Sequence, residues 1–179
     1  MFHMKTRTPE YQIAGDEVAV IETGKGTIRV KLDSDGAPIH VANFCELATM
    51  GFYDGLKFHR YVPGFVIQGG CPNTRDMTCE QVAAGQAGPD GQPGTGGPGW
   101  CIQEEFSTNP RNSHEDGALA MARSMDPNSA GSQFYFCLGP QHNLDSGYTV
   151  FGATVEGKDV IGALRAGDEI VKVDIVHGA

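Results

Sequence analysis

The sequence predicts a mostly β fold, a closed antiparallel barrel of short strands capped by two α-helices. Three observations lead there. Glycine and proline are abundant, 25 and 10 of 179 residues, which implies many turns and short elements. Apolar residues recur with a period of two in several short runs, as in strands with one buried face. Two stretches carry the wider spacing of an amphipathic helix. With 40% hydrophobic and 20% charged residues, the chain can bury a substantial core and is not expected to be disordered.

Taken in order, residues 1–16 are polar and without period, an N-terminal arm that is either flexible or a strand laid on the domain; residues 17–179 form one domain. Val18 and Val20 alternate with Glu17 and Ala19, Thr23–Gly26 turns, and Ile28, Val30 and Leu32 alternate again, which reads as a β-hairpin. Pro38 suits the first turn of a helix. Val41, Phe44, Cys45 and Ala48 then form one apolar stripe, and Gly51 supplies a left-handed cap. Short strands follow over Leu56–Arg60, Val66–Gly70, Ala118–Arg123, Ser132–Leu138 and Thr149–Ala153. A second helix covers Lys158–Arg165, with Val160, Ile161 and Leu164 on one side. Val171, Val173 and Ile175, alternating with Lys172 and Asp174, make a final strand. The stretch 71–99 is a long Gly/Pro-rich surface loop.

Charge and cysteine usage bound the function. A formal charge of −9, from 22 acidic and 13 basic residues, lacks the clustered basic face that nucleic acid requires. There is no signal-like or membrane-spanning apolar run. The five cysteines, Cys45, Cys71, Cys79, Cys101 and Cys137, are an odd set that suits reduced thiols, so a cytoplasmic location is expected.

Several chemistries fail on spacing. Gly94–Gly99 formally fits G-x-G-x-x-G, but no strand leads into it and Pro98 falls where a helix would start. No cysteine pair has the C-x₂₋₄-C spacing of a zinc site, so no metal or cofactor is expected; a site shared by Cys71, Cys79 and Cys101 is the alternative to unpaired thiols. No G-x-S-x-G elbow surrounds any serine, and His59, His114 and His142 are scattered. Two segments remain. Phe58–Gly70 reads strand, Pro63-Gly64 turn, strand, and carries Arg60 and Gln68. In the other, Gln133 and Tyr135 share one strand face and Phe134 and Phe136 the other. One face can fill the barrel while its opposite lines a groove. A barrel interior would not hold Arg60 unpaired.

These residues resemble the cyclophilin family. Phe58–Gly70 is similar to its F-H-R-x-x-P-G-F-x-x-Q-G-G signature, and Gly94–Gly99 to its G-T-G-G-P-G segment. Gly117–Ala122, Asn128–Phe134 and Val150–Gly152 resemble later blocks, so the likeness runs from about Val18 to Val176. The resemblance implies eight antiparallel strands, two capping helices, and peptidyl-prolyl cis/trans isomerase activity in a groove on the outer face; a non-catalytic proline-peptide binding module on the same fold is the alternative. Carried over by motif, Arg60 and Gln68 are catalytic, and Phe65, Val66, Ala122, Arg123, Gln133, Tyr135, Leu144 and Tyr148 bind substrate. The implied partners are proline-containing peptides and unfolded clients of a monomer that assists folding, with no nucleic acid or membrane. Asn143 and Tyr148 stand where the best-known eukaryotic members carry Trp and His, which implies weakened affinity for cyclosporin-type inhibitors. Cys71 stands where an Asp commonly follows the double Gly.

Overall fold

The protein is described by a computed structural model covering residues 5–178; residues 1–4 of the expected arm, and residue 179, lie outside the described residues. Eight antiparallel strands form one curled sheet in the order β3-β4-β6-β5-β7-β2-β1-β8. They are β1 Glu17–Thr23, β2 Gly26–Leu32, β3 Phe58–Val62, β4 Val66–Gly69, β5 Ala118–Met121, β6 Phe134–Cys137, β7 Val150–Glu156 and β8 Ile170–His177. The two ends of that order meet. The Phe58 N–H donates to the Asp168 carbonyl at 2.8 Å, and the Ile170 N–H to the Leu56 carbonyl at 2.7 Å. A short bridge between Lys57 and Glu169 thus closes the sheet into a barrel, more narrowly than a full strand pair would.

The interior is packed by the inward faces of the strands and by helix α1, Pro38–Thr49. Phe44, Phe134, Phe136 and Phe151 are fully buried there. Their rings meet edge-on or tilted, as at 5.8 Å between Phe44 and Phe134, the arrangement that ring quadrupoles favour. The expected stripe Val41, Phe44, Cys45 and Ala48 is the buried face of α1. Gly51 ends the helix at φ +74°, while the Phe52 N–H reaches back to the Leu47 carbonyl, the Schellman closure that a residue without Cβ permits. At its other end α1 has no local cap. The buried Glu105 carboxylate, from a distant loop, accepts from the Ile39 and His40 amides at 3.1 and 2.8 Å instead.

Three expectations are corrected. In β1 the core face is Ala19 and Ile21, not Val18 and Val20. Pairing puts Ala19 opposite Val30 and Ile21 opposite Ile28, so the partner strand selects the face. Glu17, though fully buried, is satisfied by the Ala14 and Gly15 amides and by Ser34. In β8, Ile170 and Val173 face the core while Val171 is 44% exposed; a bulge opposite Glu22/Thr23 breaks the period of two. The expected 71–99 loop is not free of helix: a short α2, Cys79–Ala83, interrupts it, beside the two expected helices α1 and α3, the latter Lys158–Ala163. Thr78 and Gln81 form a reciprocal capping box on α2, a signal visible as Thr78-x-x-Gln81.

The described part of the arm lies along the barrel. Its Arg7 N–H donates to the Cys101 carbonyl at 2.7 Å, its guanidinium sits 4.3 Å from the Trp100 ring centre and pairs with Glu46. Tyr11 and Ile13 pack against the core. No helix among the described residues is long and apolar enough to cross a membrane.

Candidate active site

A β-bulge determines which way Arg60 points. Phe58 pairs with Gly69 and Arg60 with Gln68, so two residues of β3 oppose one step of β4. Without it, Arg60 would share the inward face of Phe58. With it, Phe58 is fully buried and Arg60 is exposed on the outer wall. Arg60, Gln68, Tyr135, Ala120 and Val150 are successive cross-strand partners over β3, β4, β6, β5 and β7. They therefore form one outward row.

The floor beside that row is apolar. Val66, Ala120, Tyr135, Cys137 and Val150 form a buried cluster separate from the barrel core, with Phe65, Ala122, Leu144 and Tyr148 packed on it. Every apolar residue expected to line the groove belongs to this cluster. Phe134 and Phe136 belong to the interior, so the two faces of β6 divide between the barrel core and this second cluster.

A polar chain runs along the edge. Arg60 Nη1 donates to Gln68 Oε1 at 3.5 Å, and Gln68 Nε2 to Gln133 Oε1 at 3.0 Å. Gln133 Nε2 then donates to the Gly94 and Gly96 carbonyls at 2.9 and 2.8 Å. The glycine segment forms a wall, not a phosphate cradle. A Cβ on Gly96 would stand 2.5 Å from Asn73 Oδ1, a distance that explains the glycine there. Behind the wall, Cys71 Sγ accepts from the Gly94 and Gly96 amides at 3.2 and 3.3 Å. A cavity of about 480 Å³ continues the groove past Gln68, Ala122, Arg123 and Gln133 toward Trp100.

Arg123 is placed differently from Arg60. Its Nε donates to the Gly147 carbonyl at 2.8 Å and its Nη1 to the Ser124 carbonyl at 2.9 Å. The guanidinium also lies 4.6 Å from the Tyr148 ring centre. It fastens the 147–148 loop to the 122–125 loop. Asn143 is exposed on the 3₁₀ turn His142–Leu144 at the rim.

Two residues with no expected role meet the floor. His114, fully buried, has Nδ1 2.8 Å from Asp145 Oδ1 and Nε2 2.8 Å from the Tyr135 hydroxyl. Burial raises the Asp145 carboxyl, but the His114 amide and the His114 and His142 rings outweigh it and hold it below the usual range. His114 is itself held low, because burial outweighs the attraction of Asp145. No spacing in the sequence links positions 114, 135 and 145; the sheet brings them together. Among the described residues no group of potential metal ligands includes a cysteine, Cys79 among them: Cys71 faces the glycine wall, Cys101 donates to the Ser129 carbonyl, and burial pushes the Cys45 and Cys137 thiols up to about 12.

Barrel and outer groove define the class, a cyclophilin-like β-barrel protein. The family described as "Cyclophilin type peptidyl-prolyl cis-trans isomerase/CLD" matches residues 18–177. A peptidyl-prolyl cis-trans isomerase of Synechococcus elongatus is 44% identical over 163 residues, covering 90% of this chain and 97% of that protein. Peptidyl-prolyl cis-trans isomerase B of Bacillus subtilis is 40% identical, covering 83% and 90%. Among solved structures, a Cryptosporidium parvum cyclophilin type isomerase determined in the presence of the dipeptide Ala-Pro superposes with a TM-score of 0.68 at 25% identity, over 90% of this chain and 99% of that one. The chain belongs to the cyclophilin-type peptidyl-prolyl cis/trans isomerase family, and its activity is the isomerisation of X-Pro peptide bonds.

Proposed function

We propose that isomerisation takes place in the outer groove, with Arg60 as the donor to the twisting imide nitrogen. The X-Pro bond resists rotation because delocalisation of the nitrogen lone pair gives C–N partial double-bond character, a barrier of about 18–20 kcal/mol. Rotation localises that pair on a pyramidal nitrogen, which then becomes a hydrogen-bond acceptor. A guanidinium aimed at it binds the twisted state more tightly than the planar one. Shortening an event of roughly 10–100 s to milliseconds takes a factor of about 10⁴, or about 5.5 kcal/mol. One charged donor beside an apolar floor can supply much of this, and no covalent step is needed.

The observation that carries this reading is the bulge at β3, which turns Arg60 out beside the floor, with a long 3.5 Å bond to Gln68 and the Phe65 ring centre 6.0 Å from its guanidinium. Phe65, Val66, Tyr135 and Leu144 hold the proline ring. Tyr148 forms the rim, and the backbone at Ala122 and Arg123 holds the chain on one side while the other rotates. Gln68 orients Arg60, and Gln133 fixes the glycine wall. Proline-containing peptides and unfolded clients are the substrates of a cytoplasmic monomer built as one domain over 17–179 behind the 1–16 arm. Asn143 and Tyr148 at the rim weaken cyclosporin-type inhibitors. In a protease-coupled assay of a proline tetrapeptide, Arg60→Ala is expected to lower kcat/KM by a factor of about 100 or more. Arg60→Lys loses the planar fork and recovers little. Unchanged turnover in Arg60→Ala overturns the assignment.

A further inference from the structure

The hydroxyl of Tyr135 is out of reach of a peptide. Tyr135 is 4% exposed, and its phenol lies 2.8 Å from Nε2 of His114, a ring that is itself fully buried. Asp145 is held as a carboxylate, so the proton between it and His114 resides on Nδ1. In a neutral ring Nε2 is then the acceptor, and Tyr135 donates. The rings are stacked at 13° with centres 5.9 Å apart. Tyr135 in turn meets Tyr148 edge-on at 6.2 Å.

The same carboxylate organises the rim. Asp145 Oδ1 also accepts from the His114 amide at 2.7 Å, and Oδ2 lies 3.0 Å from His142 Nδ1. Asp145 follows directly on the turn that carries Leu144, and Tyr148 is three residues on. Asn112, two positions before His114, donates to the Asp145 and Tyr148 carbonyls at 2.5 and 2.9 Å. One strand-to-strand connection therefore holds the floor by one side chain and the rim by another.

We propose that His114 is a positioning residue of the isomerase groove: paired to Asp145, it fixes the Tyr135 ring in the floor and ties that floor to the 142–148 rim, so that the proline pocket is preformed. This rests on the reading of Tyr135 and Leu144 as the proline pocket. Preformation acts on binding, since ordering the pocket would otherwise be charged to each substrate encounter.

The test is a double-mutant cycle of Tyr135→Phe and His114→Phe, read as KM and kcat for a proline tetrapeptide. Each single variant leaves a buried polar partner unmatched and is expected to raise KM about three- to tenfold, with kcat within about twofold. The double variant removes both partners and is expected to be no worse than the worse single one. Multiplying KM losses, or singles that lower only the melting temperature, overturn the proposal. In ¹⁵N spectra of the wild type, His114 Nε2 is expected to be unprotonated and to shift on adding the tetrapeptide; an Nε2–H tautomer overturns it as well. Arg60→Ala run in parallel separates the readings. If it keeps full turnover, the groove assignment itself has failed; if it loses turnover while the cycle shows no coupling, only the role of His114 has.

Discussion

At the scale of single residues, what the groove requires is direction more than identity. Arg60 is visible in the sequence as a charge that a barrel interior would reject, yet its outward aim depends on one extra residue in β3, His59, which no alternation pattern announces. That histidine carries a cost. It is largely buried, its Nδ1 has no hydrogen-bond partner among the described residues, and burial together with the Arg60 charge holds it down at about 4. The unfolded chain takes up a proton near 6.5, so between about 6.5 and 4 the unfolded state binds more protons and stability falls as pH falls. At pH 5 the loss from this group alone is about 2 kcal/mol relative to pH 7. Urea unfolding at the two pH values should show His59→Gln losing visibly less than the wild type; parallel losses would contradict the assignment. Cys71 was legible only as an oddity, since its role depends on two loop amides more than twenty positions away.

At the scale of elements, α1, α3 and most strands can be read from local pattern, and the misread strand faces share a cause. Val18 and Val20 look like a core face because valine is apolar, but strand pairing decides the face, and Ile28 and Val30 required Ala19 and Ile21 opposite them. Val171 was lost to a bulge in the same way. For α1 the signals were Pro38 and the apolar stripe; its cap was invisible because Glu105 lies far along the chain. That cap is a strong point of the fold. Glu105 is 4% exposed, accepts two helix amides, and meets His40 Nδ1 at 2.7 Å. Glu105→Ala is expected to cost about 3 kcal/mol, since it strands buried donors; a calorimetric melting temperature should drop by about 6–12 °C. A drop under about 2 °C would show that the amides find other partners. By contrast Thr78→Ala, on the exposed cap of α2, should cost only about 1 kcal/mol by the same measurement.

For the whole molecule, the fold class and a closed barrel follow from glycine abundance and strand-length runs, whereas the place of closure does not. The barrel closes through the few bonds joining Leu56–Phe58 to Gly167–Ile170, and those residues carry no pairing signal. The groove is likewise a property of the closed sheet: Arg60, Gln68, Tyr135 and Ala120 come from four strands and are adjacent only in the sheet. Their family motifs reveal them in sequence; His114 and Asp145, outside those motifs, stay hidden. The arm tests how far the domain depends on its flank. Arg7→Ala removes the Trp100 and Glu46 contacts, and it should lower the melting temperature by a few degrees with kcat/KM unchanged, because neither contact reaches Arg60. The claim that the groove accelerates rotation through Arg60 is tested most directly by exchange NMR of a proline peptide's cis and trans signals. With the wild type, exchange is expected within milliseconds; with Arg60→Ala the peptide should still bind within about threefold while exchange slows about a hundredfold or more. Equally fast exchange with both proteins would contradict the account.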